Sequence, residues 1–303
     1  REISTHGGWG MSGMLAPTRP VLRYHGGKWR LAPWIISHFP PHRVYVEPFG
    51  GAASVVLQKP RTYAEVYHDR WGEIVSVFRV LRDPETASDL KRRLELTPFA
   101  RDEFAHIDEP FYQAEQDPIE RARILIYRSF SGFGSNAHAL TRKTGFRGTS
   151  NRSGTTPAHD WANYPAVIDA FVERLRGVVI ENREAMQVMS QHDGADTLHY
   201  VDPPYVHSTR SMSNPYDLEY GGYAFEMTDA EHEVLGEFVR GLAGMVIISG
   251  YRSPLYDEIF HDWKRIECRA MADGARVRSE CLWLNQAAQR QAAQISMFTG
   301  DTN

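Results

Sequence analysis

Residues 202–205, Asp-Pro-Pro-Tyr, place an acid, two prolines and an aromatic ring directly after an apolar run at 197–201. Two adjacent prolines remove two backbone donors and fix two φ angles, so a strand over 197–201 ends here and Asp202 lies in a stiff turn. Open α/β sheets bind ligands at the carboxyl ends of their strands. Asp202 is therefore a candidate site residue, and a solvated acid in an ordinary turn is the alternative.

Two further strand ends carry acids beside residues suited to ligand contact. Glu47 precedes Pro-Phe-Gly-Gly, in which Gly50 and Gly51 allow the backbone to approach a ligand closely. Asp69 ends a second apolar run, and an acid at that place suits ribose hydroxyls. Lys28 follows two glycines in RYHGGKWRLAPWI, but this segment is not a P-loop, and the loop after Glu47 is not the dinucleotide pattern G-x-G-x-x-G. An ordinary surface lysine and ordinary turn acids remain the alternatives.

The elements that must position these residues are strands alternating with helices. Apolar and β-branched runs predict strands at 43–48, 62–69, 178–182, 197–202 and 245–250, and an antiparallel pair at 262–269 and 281–286. Helical spacing predicts helices at 55–59, 72–83, 166–177, 183–190 and 228–241, with mainly helix over 84–130 and loops over 131–160. This alternation predicts an α/β fold, in which a mostly parallel sheet is covered by helices on both faces.

The composition of the 303-residue chain is that of a soluble globular protein. No apolar run reaches the ~20 residues of a membrane span, and the first residues lack a signal pattern. The 2 cysteines and 13 histidines show no metal-ligand spacing, so we expect no metal site and a cytoplasmic setting. We expect residues 1–20 to be a disordered arm, in part foreign to the natural protein, and residues 287–303 to be a flexible tail.

Charge is distributed unevenly along the chain. The net charge of −4 argues by itself against a nucleic-acid partner, yet residues 121–159 contain no Asp or Glu. The same stretch holds the cations Arg121, Arg123, Arg128, Arg142, Lys143, Arg147 and Arg152. Cations without intervening acids suit phosphate binding, and a solvated basic face is the alternative.

The set of motifs and their order resemble the Dam-type adenine-specific DNA methyltransferases of bacteria and phages. The matching blocks, between residues 21 and 286, are RYHGGKWRLAPWI, YVEPFGGAASV, VYHDRWGEIVSVFRVL, VDPPY and CLWLN. The resemblance implies a Rossmann-like class I methyltransferase sheet that binds S-adenosyl-L-methionine and releases S-adenosyl-L-homocysteine. It also implies an inserted, mainly helical and loop target-recognition domain. We assign residues 21–83 and 161–286 to the catalytic domain and residues 84–160 to the recognition domain.

The resemblance assigns the cofactor to the segment around Lys28 and to residues at the ends of the predicted strands. Lys28 would lie near the cofactor carboxylate, Asp69 would accept from the ribose, and Arg70 would cover the adenine. The loop at 47–51 would enclose the cofactor, with Glu47 opposite its sulfonium. The full predicted set is Tyr24, Gly27, Lys28, Glu47, Pro48, Phe49, Gly50, Gly51, Asp69, Arg70, Glu181, Asn182 and Asp202. Where relatives often have a third glycine, this chain has Ala52 or Ala53.

The resemblance also assigns catalysis to Asp202, Pro203, Pro204 and Tyr205. The amino group of adenine is a poor nucleophile, and it is oriented if Asp202 accepts one N–H while the Pro203 carbonyl accepts the other. Tyr205 would stack on the base, which must be flipped out of the duplex. Relatives that modify cytosine usually carry Ser in place of this Asp, so Asp202 favours adenine. Alternatives are the cytosine amino group, an RNA adenine, or a DNA-binding protein without turnover.

Partners are predicted from the recognition segment and the tail. We predict contacts to double-stranded DNA, mostly to phosphates, from Arg128, Arg142, Lys143, Arg147, Asn151 and Arg152. The family suggests a GATC target, and the long loop at 206–227 suggests a lid or a plain surface loop. Gln294 to Phe298 resembles the short peptide that binds the bacterial sliding clamp, with a random tail as the alternative. We expect a monomer.

Overall fold

The computed structural model describes residues 16–107, 109–134, 144–149, 155–206, 209, 225–271 and 277–299. Its strands are β1 (Val44–Glu47), β2 (Ala64–His68), β3 (Val178–Glu181), β4 (Thr197–Val201), β5 (Met245–Tyr251), β6 (Lys264–Met271) and β7 (Val277–Leu284). They form one sheet in the order β3-β2-β1-β4-β5-β7-β6. The predicted α/β fold is confirmed.

The five strands from β3 to β5 are parallel, and β7 lies antiparallel between β5 and β6. From β1 the chain runs outward to β2 and β3 on one side, and later to β4 and β5 on the other. The strand order therefore reverses between β1 and β4, and in such folds ligands bind in the crevice beyond the carboxyl ends at this point. Glu47 ends β1 and Asp202 follows β4, so the topology brings both acids to that crevice.

The central strands are apolar because both faces of the sheet are covered. All five residues of β4 and the first six of β5 are buried. A strand buried on both faces has a continuous apolar run instead of an alternating one, which explains TLHYV and MVIISGY. Each fully buried Val, Leu, Ile or Phe contributes roughly 1.5–3 kcal/mol to the free energy of unfolding.

The first half of the chain contributes six helices within the described residues. These are α1 (Ala32–Ser37), α2 (Gly72–Arg82), α3 (Pro84–Leu96), α4 (Arg101–His106), α5 (Glu109–Ala114) and α6 (Pro118–Ser131). Asp83 and Asp117 cap α3 and α6, each accepting a backbone N–H from the first turn, and a proline follows each cap. The mainly helical character predicted for residues 84–130 is confirmed in the described part of that range.

The helices of 84–131 share a core with the sheet. Phe78 of α2, Leu90 of α3 and Ile124 of α6 are fully buried in one hydrophobic cluster that also contains Tyr45 of β1. The part of the predicted recognition domain that the structure describes therefore has no separate hydrophobic core at these helices. Its role in target recognition stays a prediction.

The second half contributes six more helices within the described residues, and a short 3-10 helix at Pro165–Val167 precedes the second of them. The α-helices are α7 (Pro157–Ala162), α8 (Ile168–Leu175), α9 (Ala185–His192), α10 (Asp229–Arg240), α11 (Pro254–Ile259) and α12 (Gln286–Thr299). Thr228 and Glu231 form a capping box at the start of α10. None of the helices in the described ranges has the length and apolar character that a membrane span requires.

Two predicted elements differ from the structure. Residues 51–58 form successive turns where we predicted a helix at 55–59, and these turns include Ala53 with a φ of 57°, which regular α-helix does not allow. Residues 287–299, predicted to be flexible, belong to α12, which packs on the sheet through the fully buried Ala288. The Asn285 side chain accepts the Ala288 backbone N–H at 2.9 Å and so begins this helix.

Candidate active site

A cavity of about 240 Å³ lies beyond the carboxyl ends of β1, β2 and β4. A water molecule occupies about 30 Å³ in the liquid, so the cavity has room for a small-molecule ligand. The predicted site residues that line it are Tyr24, Gly27, Lys28, Glu47, Phe49, Gly50, Gly51, Asp69, Arg70, Asp202 and Pro204. The fold therefore brings together residues that lie far apart in the sequence.

Asp202 is held through one of its two carboxylate oxygens. Oδ1 lies 2.8 Å from Lys28 Nζ and accepts a hydrogen bond from Ser249 Oγ at 2.7 Å. Among the described residues, no hydrogen bond or ion pair reaches Oδ2. The carboxylate is thus fixed in orientation and retains an oxygen that can accept an N–H from a ligand in the cavity.

Ser249 and Tyr200 support Asp202 and were not predicted as site residues. Ser249 is fully buried in β5, and Tyr200 of β4 lies with its hydroxyl 3.0 Å from Ser249 Oγ. Because the serine proton goes to Asp202, the tyrosine hydroxyl donates to the serine. The one sequence signal was a serine within an apolar run, MVIISG, which a buried partner would explain.

Lys28 is buried, with 4% of its surface exposed, and connects Asp202 to a second group of polar residues. Its Nζ donates to the Tyr205 hydroxyl at 2.6 Å and to the Gly26 carbonyl at 3.3 Å. Lys28 thus lies at the cavity, and its role near the cofactor carboxylate stays a prediction. Its nearest anion is Asp202 itself.

Glu280 of β7 is a buried carboxyl behind Lys28 and was not predicted. Its side chain is 1% exposed and accepts from the Tyr205 hydroxyl at 3.1 Å, while Lys28 Nζ lies 3.7 Å from its Oε1. Burial raises the pKa of the Glu280 carboxyl, and the Lys28 ammonium partly offsets this effect. The residue immediately precedes CLWLN, so a charged residue next to a predicted strand was the available signal.

Glu47 is buried at the end of β1. Its Oε2 accepts from the Tyr45 hydroxyl at 2.7 Å and from the Val56 backbone N–H at 2.9 Å. Burial is the main cause that raises the pKa of this carboxyl to about 8, and the nearby Asp202 charge adds to the effect. Near neutral pH Glu47 is therefore largely protonated, and its expected role opposite a sulfonium stays a prediction.

The glycine loop after β1 requires glycine at two positions. A Cβ on Gly50 would lie 2.2 Å from the Tyr67 ring, and Gly51 has a φ of +47°. Ala53 follows with a positive φ of 57°, a conformation that glycine adopts more readily than alanine. The loop path is thus set by backbone geometry that only some residue types adopt without strain.

Asp69 fastens this loop to the end of β2. Its Oδ2 accepts the Gly51 N–H at 2.9 Å and its Oδ1 accepts the Trp71 N–H at 2.8 Å. Burial raises the pKa of Asp69, and these backbone donors partly offset the shift. Arg70 lies over the Phe225 ring at 4.9 Å, at the edge of the same cavity.

The loop after β3 contributes different residues from those predicted. Neither Glu181 nor Asn182 lines the cavity, and Glu184, Ala185 and Met186 line it instead. Asn182 Nδ2 donates to the carbonyls of Asp69 and Arg70 at 2.9 and 3.1 Å. Asn182 therefore fixes the backbone of the loop after β2 without lining the cavity. Pro48 is also absent from the cavity wall, and His68 Nδ1 lies 2.5 Å from its carbonyl oxygen.

Two of the four predicted catalytic residues lie outside the cavity wall. Pro203 is buried, and Tyr205 stacks on Tyr251 with ring centroids 4.3 Å apart. The Tyr205 hydroxyl is bonded to Lys28 and Glu280, as described above. Stacking of Tyr205 on a target base stays a prediction, and the structure adds a polar role for its hydroxyl.

The predicted DNA contacts include one residue that the structure corrects. Arg128 is 6% exposed, its Nη1 donates to the Ile107 carbonyl at 3.1 Å, and its guanidinium lies over the Phe104 ring. The prediction of a DNA contact for Arg128 is wrong, because this side chain joins α6 to α4. Arg147 is partly exposed, 4.0 Å from Asp160. Arg142, Lys143, Asn151 and Arg152 lie outside the described residues, as does most of the loop at 206–227.

The doubly wound sheet and the site at its reversal point define a Rossmann-like methyltransferase fold. Residues 24–273 match the D12 class N6 adenine-specific DNA methyltransferase family, and the chain belongs to this family. No curated protein matches the chain. The matched range 24–273 includes every residue of the site except Glu280.

Proposed function

We propose that this protein transfers a methyl group from S-adenosyl-L-methionine to the exocyclic amino group of adenine in double-stranded DNA. The family indicates an adenine-specific DNA methyltransferase. The observation that carries the finer proposal is Asp202, held at Oδ1 by Lys28 and Ser249 with Oδ2 directed to no described partner. A fixed carboxylate at the cavity wall can select and orient an amine.

The cavity wall fits the chemistry of S-adenosyl-L-methionine. The positive φ of Gly51 and the lack of space for a side chain between Gly50 and Tyr67 hold the loop backbone close to β2. Asp69 offers carboxylate oxygens to ribose hydroxyls. Phe49, Trp71 and Met186 supply apolar surface for a purine. When bound, this cofactor supplies an electrophilic methyl group on a sulfonium.

Asp202 is the residue that prepares the adenine amine. In the proposal its Oδ2 accepts one N–H and the Pro203 carbonyl accepts the other, which directs the nitrogen lone pair toward the methyl donor. The same Oδ2 takes the proton that the amine loses. Orientation and fixed charges provide the catalysis, and no covalent enzyme intermediate is required.

The DNA substrate must bring the amine to this partly buried carboxylate. Since the amino group is paired inside a duplex, the target base must be flipped out. Arg142, Lys143, Arg147, Asn151 and Arg152 remain the proposed contacts to DNA. Delivery by a sliding clamp through Gln294 to Phe298, at the end of α12, also remains a proposal.

Analysis of labelled nucleosides tests the proposed function. The protein is incubated with methyl-labelled S-adenosyl-L-methionine and unmethylated duplex DNA, which is then digested to nucleosides. We expect label in N6-methyladenosine of the deoxy series, loss of label with Asp202→Ala, and wild-type label with the surface variant Asp169→Ala. Label in methylcytidine, or label only when RNA replaces DNA, would contradict the proposal.

A further inference from the structure

Four polar groups from three separate segments meet in one layer at the active site: Lys28 before α1, Asp202 and Tyr205 after β4, and Glu280 on β7. Lys28 Nζ bonds to Asp202 Oδ1 at 2.8 Å and to the Tyr205 hydroxyl at 2.6 Å. The same hydroxyl is 3.1 Å from Glu280 Oε2. Glu280 thus contacts Lys28 and Tyr205, and it is connected to Asp202 indirectly, through Lys28.

The charges in this layer do not cancel in pairs. The Lys28 ammonium, 2.8 Å from Asp202, offsets the negative charge of that carboxylate. Glu280 is a second carboxylate, 3.7 Å from the same ammonium. Burial disfavours the ionised form of Glu280, and the hydrogen bond from Tyr205 and the nearby Lys28 ammonium oppose that effect. With Lys28 protonated and both acids ionised, the layer carries a net charge of one negative unit.

We infer that Glu280 is a positioning residue that holds Lys28 and Tyr205 in place and gives the site a net negative charge. A site with this charge favours a cationic ligand over its neutral counterpart. The inference rests on the proposed function, because the methyl donor is a sulfonium cation and the product S-adenosyl-L-homocysteine lacks that charge. Such a site binds the substrate more strongly than the product and disfavours product inhibition.

The groups that face Glu280 are consistent with this role. Lys28, Asp202 and Tyr205 are the nearest, and Tyr200 and Cys281 lie within range of its charge. Among these described neighbours Lys28 is the one cation, so neutralising Glu280 leaves the Lys28 and Asp202 charges balanced. A buried acid kept beside one shared cation is costly to fold, and a functional role explains its presence.

Isothermal titration of both ligands tests the inference without DNA and without turnover. Dissociation constants for S-adenosyl-L-methionine and S-adenosyl-L-homocysteine are measured for the wild type, Glu280→Gln, Glu280→Asp and the control Glu267→Gln. Glu267 lies on β6 and pairs with Arg265 at the surface. We expect Glu280→Gln to lower the preference for the cation by about tenfold, while Glu280→Asp and Glu267→Gln retain it.

The outcomes separate the inference from the proposed function. If Glu280→Gln leaves the ratio of the two dissociation constants unchanged, including the case in which both ligands bind equally more weakly, the proposed charge effect of Glu280 is overturned and the proposed function stands. Failure of the wild type to bind either ligand would overturn both. If circular dichroism shows that Glu280→Gln is unfolded, Glu280→Ser removes the same charge and the same comparison applies.

Discussion

At the scale of the residue, the buried carboxyl of Glu47 makes the stability of the ligand-free protein depend on pH. Burial raises its pKa from 4.5 to about 8. Between these values the folded protein holds a proton that the unfolded chain has lost, so the stability that this group contributes is present below pH 4.5 and is lost as the pH rises through 8.

Replacement of Glu47 by glutamine is expected to remove this dependence. Glutamine retains an oxygen acceptor for Tyr45 and Val56 and carries no charge. We expect Glu47→Gln to be more stable than the wild type by roughly 2–4 kcal/mol at pH 8, with a difference that shrinks toward pH 5. Urea unfolding across this range checks the prediction, with the exposed Glu237→Gln as control. A difference that does not change with pH would count against it.

Most of the site residues that the sequence identified have positions that follow from where a predicted strand ends. Glu47 and Asp202 each precede a proline at the end of an apolar run and Asp69 ends another run, whereas Lys28 follows two glycines ahead of α1. Parallel strands bring such strand ends to one edge of the sheet. Ser249 and Glu280 were missed for a physical reason. Their contacts with Asp202 and Lys28 depend on β5 lying next to β4 and on β7 lying next to β5, and neighbours across a sheet are not visible in the sequence.

At the scale of the element, the loop between β1 and β2 depends on the missing side chain at position 50. A Cβ on Gly50 would meet the Tyr67 ring at 2.2 Å, so Gly50→Ala forces the loop away from β2. We expect a loss of about 1–3 kcal/mol in the free energy of unfolding and weaker binding of S-adenosyl-L-homocysteine.

Thermal unfolding and titration calorimetry check the prediction for Gly50. The matched control is Gly241→Ala at the end of α10, where the nearest atom to an added Cβ is the Phe238 carbonyl oxygen at 3.4 Å. The control is expected to bind the ligand as the wild type does. Wild-type binding by Gly50→Ala would show that the loop tolerates a side chain and that the account of its path is wrong.

The two elements that were predicted wrongly show what local patterns miss. The run VVLQK has helical composition, but the positive φ of Ala53 and the tie from Val56 to Glu47 hold it in turns. The polar tail becomes helix α12 because Asn285 caps it and Ala288 is buried against the sheet. In both cases a tertiary contact overrides the local preference.

At the scale of the whole molecule, the acid-free stretch at 121–159 overstates the basic surface. Arg121 pairs with Glu73 at 2.7 Å and Arg123 pairs with Glu103 at 2.8 Å, both across helix contacts. Counts along the sequence cannot show these partners. The same packing joins the helices of 84–131 to the core of the sheet, whereas the linear order of motifs suggested a separate domain.

Arg128→Ala is expected to act on folding and not on DNA binding. The buried guanidinium bonds to the carbonyl of Ile107, so we expect a loss of about 2 kcal/mol in the free energy of unfolding and an unchanged salt dependence of DNA affinity. Arg142→Ala, at a proposed phosphate contact, is expected to lower the salt slope by about one. Fluorescence anisotropy at several salt concentrations checks both salt slopes, and urea unfolding checks the stability of Arg128→Ala. A reduced slope with unchanged stability in Arg128→Ala would restore it as a DNA contact.

The central claim is that Asp202, fixed by Lys28 and Ser249, accepts the proton of the adenine amine. The most direct measurement is the single-turnover rate of methyl transfer to duplex DNA by Asp202→Asn, beside the affinities for S-adenosyl-L-methionine and DNA. Asparagine retains the shape and loses the negative charge. At saturating S-adenosyl-L-methionine we predict a rate lowered by about 10²-fold or more, a DNA affinity within a few-fold of the wild type, and a wild-type rate for Asp169→Asn. A wild-type rate in Asp202→Asn would contradict the account.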